Sequence, residues 1–332
     1  MIHIKISNSQ LTQIKAEWCT WFFRSSMVQK FIDILNDDTA FRHLIFPDDT
    51  LYIKWENEYS KKNTIIKEND WQAPIIKYFF ADLSDETNTT SKFGISFDKN
   101  TEHFFINNYD NYRQSKAFEK IINLMNIQVC PYCNRNFIES YTDINRNGKK
   151  FYFKGDLDHH YCKSDFPILA LSFYNLIPCC KVCNHEKSDT TKPTFYPYYD
   201  YEEEYLFKIE SHTENGTVWQ GISDNFDIEL KGKNNKNLSK HMQNSVKTFR
   251  LDKKYNHSKD YVKEILRKRY IYPEIKKKEL LQNFGDIFSN EEELQKTFYS
   301  YTSNPEKLSD RPLSKLTLDI LNQLEDLEKS HK

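Results

Sequence analysis

Hydrophobic positions in the first part of the chain recur at three- and four-residue intervals: Ile14, Trp18, Trp21 and Phe22, then Val28, Phe31, Ile32 and Leu35. That period places each set on one helix face and predicts two or three packed helices before residue 60. The aromatic stripe Trp18/Trp21/Phe22 reads as core, with a partner-binding face as the alternative, and Cys19 as a small buried apolar residue. From Ser84 to Thr101 the chain is dominated by Ser, Thr, Asn and Asp, which predicts a surface loop or linker. Helical spacing returns over Tyr112–Ile127 through Phe118, Ile121, Ile122 and Met125, so one helix is expected to run into Cys130.

The pattern then changes. Phe137–Tyr141 and Phe151–Lys154 flank DINRNGKK, whose Asn147-Gly148 is a hairpin turn signal. Leu157–His159 reads as a short strand, Phe166–Tyr174 as an apolar connection, and Cys180–Lys187 as the opening of a helix. Past Thr194, the tyrosine-rich run FYPYYDYEEEYLF carries no readable period, and Val218–Leu230 is expected to supply two strands. One helix is expected over Asp252–Tyr272, with Tyr255, Val262, Ile265 and Leu266 on one face and Lys259, Lys263, Arg267 and Lys268 largely elsewhere. Further helices over 291–329 would break near Pro305 and Pro312. No internal repeat is present. The fold class expected is α+β, a mostly helical chain around a small strand-bearing centre, divided as 1–115, 116–200 and 201–332.

Composition narrows the function classes. A chain of 332 residues with net charge −1 and 38% hydrophobic residues has enough material for a sizeable core. Nothing in it approaches the length of a membrane-crossing apolar run. The start, MIHIKISNSQLTQIK, lacks a secretory apolar segment, and the seven cysteines cluster in metal-like pairs, so a cytoplasmic protein without membrane attachment is expected. Seven glycines leave no Gly-rich phosphate loop. The near-neutral total hides an asymmetry: from Lys231 to Lys278 there are sixteen Lys/Arg against four Asp/Glu. A block of that kind is the expected footprint of a polyanion partner.

Two C-x-x-C pairs, Cys130/Cys133 and Cys180/Cys183, fit one tetrahedral structural zinc, the alternative being four unrelated buried cysteines. Cys162 and Cys179 are read as bystanders. The 46 residues between the pairs are more than a simple zinc ribbon needs. They contain Asp158-His159 and Asn175, and Asn184 directly follows the second pair. Phosphodiester hydrolysis needs a water, a base and a cation. Asp158 and Asn184 offer hard oxygens to magnesium, or manganese in its place, and a neutral imidazole suits His159 as base. On a strand Asp158 and His159 point to opposite faces, so a loop contact must aim the imidazole, and the Asn175 amide is the expected clamp. Asp156 is read either as supporting charge or as solvated.

The stretch CPYCNRNF, DLDHHYCKSDFPILALSFYNLIPCCKVCNHEK resembles an HNH endonuclease of the ββα-metal fold, in the zinc-stabilised subgroup with paired C-x-x-C motifs. That resemblance implies a ββα-metal core stapled by the four cysteines. It makes His159 the general base, Asp158 and Asn184 the ligands of one divalent ion, Asn175 the residue that fixes the active-site loop, and Lys187 a phosphate contact or cap. Because His160 follows His159, the base could be displaced by one residue. With FRLDKKYNHSKDYVKEILRKR, the segment is similar to the HNH proteins of bacterial anti-phage systems, Septu and retron-linked nucleases, which work beside an ATPase. A nuclease acting on DNA in preference to RNA is thus expected, with Lys259, Lys263 and Arg267 gripping the substrate backbone. The alternatives are an RNase-type toxin on the same fold and a zinc-ribbon nucleic-acid-binding module without catalysis.

Overall fold

The computed structural model describes residues 1–48, 50, 52–53, 73–146, 148–190, 192–199, 205–233, 236–300, 304 and 307–330. Seven helices among them precede the cysteine pairs: α1 (Asn8–Phe22), α2 (Ser25–Asp37), α3 (Thr39–Ile45), α4 (Ala73–Phe79), α5 (Glu86–Phe93), α6 (Lys99–Arg113) and α7 (Lys116–Met125). The aromatic stripe is core: Trp18, Trp21 and Phe22 are buried, and Trp18 lies 4.6 Å from Phe22 and 4.2 Å from Phe79, ring to ring.

The polar stretch 84–101 is not a loop. It forms α5 and the first turn of α6, because Asp85 and Asp98 each cap a helix start and Thr89, Phe93 and Phe97 are buried. Buried Asp38 joins two helix starts, accepting from the Phe41 amide on α3 and from the Asp98 amide and Thr101 hydroxyl on α6. The helix expected over 112–127 is likewise two, since the Ser115 hydroxyl accepts from the Phe118 amide at 3.1 Å and starts α7 afresh.

Three antiparallel strand pairs follow, making the chain α+β. Strands β1 (Ser140–Asn145) and β2 (Gly148–Phe153) form the expected hairpin; Asn147 lies outside the described residues. Strands β3 (Asp156–His159) and β4 (Leu176–Cys179) pair with Asp158 opposite Ile177, and α8 (Lys181–Lys187) follows and packs on β3. Strands β5 (Tyr205–Ser211) and β6 (Phe226–Gly232) form the third pair. The two strands expected over 218–230 reduce to β6 alone. Its partner emerges from the end of the tyrosine-rich run, where Tyr205, Phe207 and Ile209 are buried in alternation.

The C-terminal part holds α9 (Lys240–Thr248), α10 (Leu251–Asn256), α11 (Lys259–Ile271), α12 (Glu274–Asn283), α13 (Glu291–Tyr299) and α14 (Ser314–Ser330). The single helix expected over 252–272 is broken at His257–Ser258 into α10 and α11. The start of α14 follows Pro312 as expected, while Pro305 lies outside the described residues. Helix α14 covers β5: Asp319 accepts from the Phe207 amide at 2.9 Å and Gln323 from the Ile209 amide at 2.9 Å. One connected cluster of buried residues runs from Met1 to Leu324 and crosses both boundaries expected at 115 and 200. Among the described residues no helix is long and apolar enough to cross a membrane.

Candidate metal centre and adjoining site

The first cysteine pair sits in a tight turn. Asn134 takes a left-handed conformation (φ 48°), its amide donates to the Cys130 carbonyl at 2.8 Å, and the Cys130 amide donates to the Asn136 carbonyl at 2.9 Å. Asn suits this position because its short polar side chain tolerates positive φ. That side chain donates to the Leu308 carbonyl and accepts from the Lys315 amide, so the turn is locked to the chain entering α14. The second pair opens α8: Cys180 is its N-cap, with its sulfur 3.5 Å from the Cys183 amide and 3.3 Å from Asn136 Nδ2.

Together Cys130, Cys133, Cys180 and Cys183 bring four buried sulfurs within 4.8 Å of one another, none in a disulfide. Hydrogen bonds, first from Cys130, hold the Cys180 thiol well below its ordinary value, while burial pushes Cys130 up. Four thiolates packed this closely would repel, and a divalent ion such as zinc resolves that repulsion, so the donor set fits such a metal. Cys162 and Cys179 stand outside the cluster.

Tyr132, inside the first pair, carries the metal turn to the neighbouring strand. Its buried ring stacks on Phe249 at 4.7 Å, and its hydroxyl donates to Asp158 Oδ2 at 2.6 Å. The other oxygen of Asp158 accepts from Lys187 Nζ at 3.1 Å, and the same ammonium donates to the His159 carbonyl at 2.8 Å. Asp158 and Lys187 are 4% and 2% exposed, so this is a buried ion pair. Burial pushes the Asp158 carboxyl up, against the opposing pull of Lys187.

This arrangement corrects two expectations. Lys187 is not a phosphate contact, because its charge is consumed by Asp158 inside the protein. Nor does Asn184 pair with Asp158: its Nδ2 donates instead to Asp156 Oδ2 at 3.1 Å. The reason is register. Asp156 and Asp158 lie two residues apart on one face of β3, and Asn184 and Lys187 three apart on one face of α8, so the two pairs meet in order. With a lysine ammonium already on Asp158, the residues as arranged do not form the magnesium site that the resemblance implies.

His159 faces the other side of β3, as alternation requires. Its ring lies 4.6 Å from that of Tyr109 on α6, and Nε2 lies 3.1 Å from the Ala170 carbonyl. A carbonyl only accepts, so the proton sits on Nε2 and Nδ1 keeps its lone pair. Burial lowers the His159 pKa to about 4, and Lys163, Lys187 and Arg113 push the same way. Asn175 is fully buried and clamps the loop as expected: Oδ1 accepts from the Tyr161 amide at 2.7 Å, and Nδ2 donates to the Tyr161 and Leu169 carbonyls, both at 3.1 Å. His160 points away from His159, into a cavity of about 360 Å³ shared with Cys162, Glu86, Lys192 and His241. Its Nδ1 is buried without a hydrogen-bond partner.

A depressed imidazole has a definite consequence for stability. Between about pH 6.5 and about pH 4 the unfolded chain binds a proton at His159 that the folded chain refuses, so the folded state loses stability as pH falls through that window. In an NMR titration the His159 ring resonances are expected to stay at their neutral positions at pH 6 and to move only near pH 4. A midpoint near 6.5 would contradict the burial described here.

The basic block is less available than its composition implies. Lys259 pairs with Asp227 at 3.1 Å, and Arg267 donates to the Gly221 carbonyl at 3.0 Å. Neighbouring cations are also engaged, Lys254 by Glu186, Arg269 by Glu328 and Lys231 by Glu210. Of the three residues expected to grip a substrate, only Lys263 has no such partner among the described residues. The other two already serve the fold.

No protein family, curated protein or solved structure matches the chain. Of the two readings of Asp156, the structure gives the supporting one, as acceptor for Asn184. Two residues that shape the site carry no sequence signal, Tyr132 and Tyr109, because nothing in local spacing says which buried tyrosine will donate to which strand.

Proposed function

We propose that the chain is an endonuclease of the HNH type that hydrolyses phosphodiester bonds, DNA first among its substrates, with His159 as general base. The observation that carries this reading is the His159 ring itself. Ala170 holds its Nε2 proton, Nδ1 keeps its lone pair, and burial keeps the ring neutral at physiological pH. It stands at the end of β3 in a strand–strand–helix unit bounded by the four-cysteine cluster, with Asn175 fixing the loop that follows. In the proposed reaction Nδ1 takes a proton from water as the water oxygen attacks phosphorus. The bond from phosphorus to the 3′-oxygen breaks, and the proton passes on to that oxygen. Asp158 and Asn184 as arranged do not form a site for the ion that the resemblance adds, and none of these steps is assigned to one.

The test is plasmid nicking and oligonucleotide cleavage with magnesium present, on DNA and RNA in parallel. His159→Ala is expected to lower the rate by about a hundredfold or more while leaving the melting temperature and nucleic-acid binding in place. Undiminished cutting by that variant rules out this base. Binding with no cleavage of either substrate by the unsubstituted protein favours a non-catalytic zinc-bound module instead, and cleavage confined to RNA favours the toxin reading.

A further inference from the structure

Around the ring of Tyr109 the structure gathers more than His159. Lys163 Nζ lies 5.5 Å from the ring centroid and the Arg113 guanidinium carbon 6.0 Å from it, both inside the range of a cation–π contact. The ring is a fixed platform. Tyr109 is 7% exposed, its hydroxyl donates to the Leu157 carbonyl of β3 at 3.2 Å, and burial keeps the phenol protonated. Arg113 follows Tyr109 by four residues, one turn along α6, and is therefore carried on the face that meets His159. Lys163 reaches the same ring from the loop that Asn175 clamps.

Both cations sit on the one ring that also meets His159, and neither has an ion-pair partner among the described residues. Lys120, Lys187, Lys254, Lys259, Arg269 and Lys315 each have one. The aromatic quadrupole attracts a cation without cancelling its charge, so both positive charges remain available to an anion. Asp156, Asp110 and Asp158 act on the same ring, but Asp158 is held by Lys187, and neither Asp156 nor Asp110 forms an ion pair with Arg113 or Lys163. Lys163 is exposed and Arg113 half-buried, so both charges are within reach of solvent near the imidazole.

We infer that Arg113 and Lys163, held on Tyr109, form the clamp that binds a phosphate of a nucleic-acid strand and sets the neighbouring phosphodiester against His159. This rests on the nuclease reading for the identity of the strand, and it gives the two residues a positioning role. Arg supplies a planar fork suited to two phosphate oxygens, whereas Lys adds a point charge on a longer, mobile stem.

The test separates binding from cutting. In a His159→Ala background of the full chain, binding of a labelled duplex oligonucleotide and a labelled single strand is followed by fluorescence anisotropy across a salt series. Each phosphate contact contributes about 0.9 to the slope of log affinity against log salt on duplex, which corresponds to about an eightfold change in affinity near 0.1 M salt. Arg113→Ala and Lys163→Ala are each expected to lower the slope by about that amount and weaken duplex binding by roughly this factor. Arg113→Lys should restore most of the slope. In the active protein the same variants should raise KM more than they lower kcat. An unchanged slope with both alanine variants, at unchanged melting temperature, overturns the clamp even if cleavage stands. So does failure of the His159→Ala protein to bind either probe. Binding without cleavage of either probe by the unsubstituted protein, with the slope lowered as expected, instead overturns the nuclease reading and leaves the clamp.

Discussion

Cys183→Ser is expected to purify without bound metal and to lose the cooperative melting of the central unit. The four sulfurs within 4.8 Å are the only group of this kind among the described residues, and every one is buried. A hydroxyl in place of one thiolate removes a soft ligand and leaves three close sulfurs without enough positive charge between them. Metal binding at structural four-ligand sites contributes on the order of 10–16 kcal/mol in small zinc domains, more than an ordinary domain's whole stability. Damage should spread along named contacts. Tyr132 would lose the turn that aims its hydroxyl at Asp158, and Tyr255, which donates to the Cys133 carbonyl at 2.5 Å, would lose its acceptor's position. Elemental analysis of the purified protein, with thermal melts before and after a chelator, checks this. A metal-free Cys183→Ser protein that melts like the unsubstituted chain would refute a structural metal here.

Lys187→Met is expected to cost about 3–5 kcal/mol, because it strands Asp158 as an unpaired charge in the interior. The methionine fills much of the same space, so the loss is electrostatic and not a packing defect. It also removes the donor to the His159 carbonyl, and with it a tie between α8 and the end of β3. Adding Asp158→Asn to Lys187→Met should recover a large share of the loss, since a neutral amide can still accept from Tyr132 and needs no counter-charge. Denaturant midpoints for the two single variants and the double variant close the cycle. If Lys187→Met alone leaves the midpoint where it was, the pair is not the buried one described.

How much of this could be read from the sequence follows from how local each signal is. The stripe Trp18/Trp21/Phe22, the paired strands of the hairpin, the Asp158-His159 strand and the helix after Cys180 each depend on spacing within a dozen residues, and all are present in the structure. Strand β4 was missed because Leu176, Ile177, Pro178 and Cys179 are all buried, which leaves no alternation to detect. The helices in 84–101 were missed because polar composition hid two capping aspartates, and Ser115 hid a helix start in the same way. The site divides along the same line. The four cysteines and the Asn175 clamp were legible because their chemistry is fixed by residue type. The partner of Asp158 was not, because it depends on the register of α8 against β3, which only the folded chain settles.

The lock on Asn134 has a consequence for how the chain is made. Its side chain meets the Leu308 carbonyl and the Lys315 amide, partners 174 and 181 residues downstream. While the chain is still emerging from the ribosome, the first cysteine turn can form and even meet the second pair, yet its left-handed residue has nothing to close on until position 315 has been synthesised. Contacts across such separations form late, since loop closure must be met before they return anything. The nascent protein therefore waits with its metal-binding turn half-finished, and a delay in elongation through the α13–α14 region prolongs that interval.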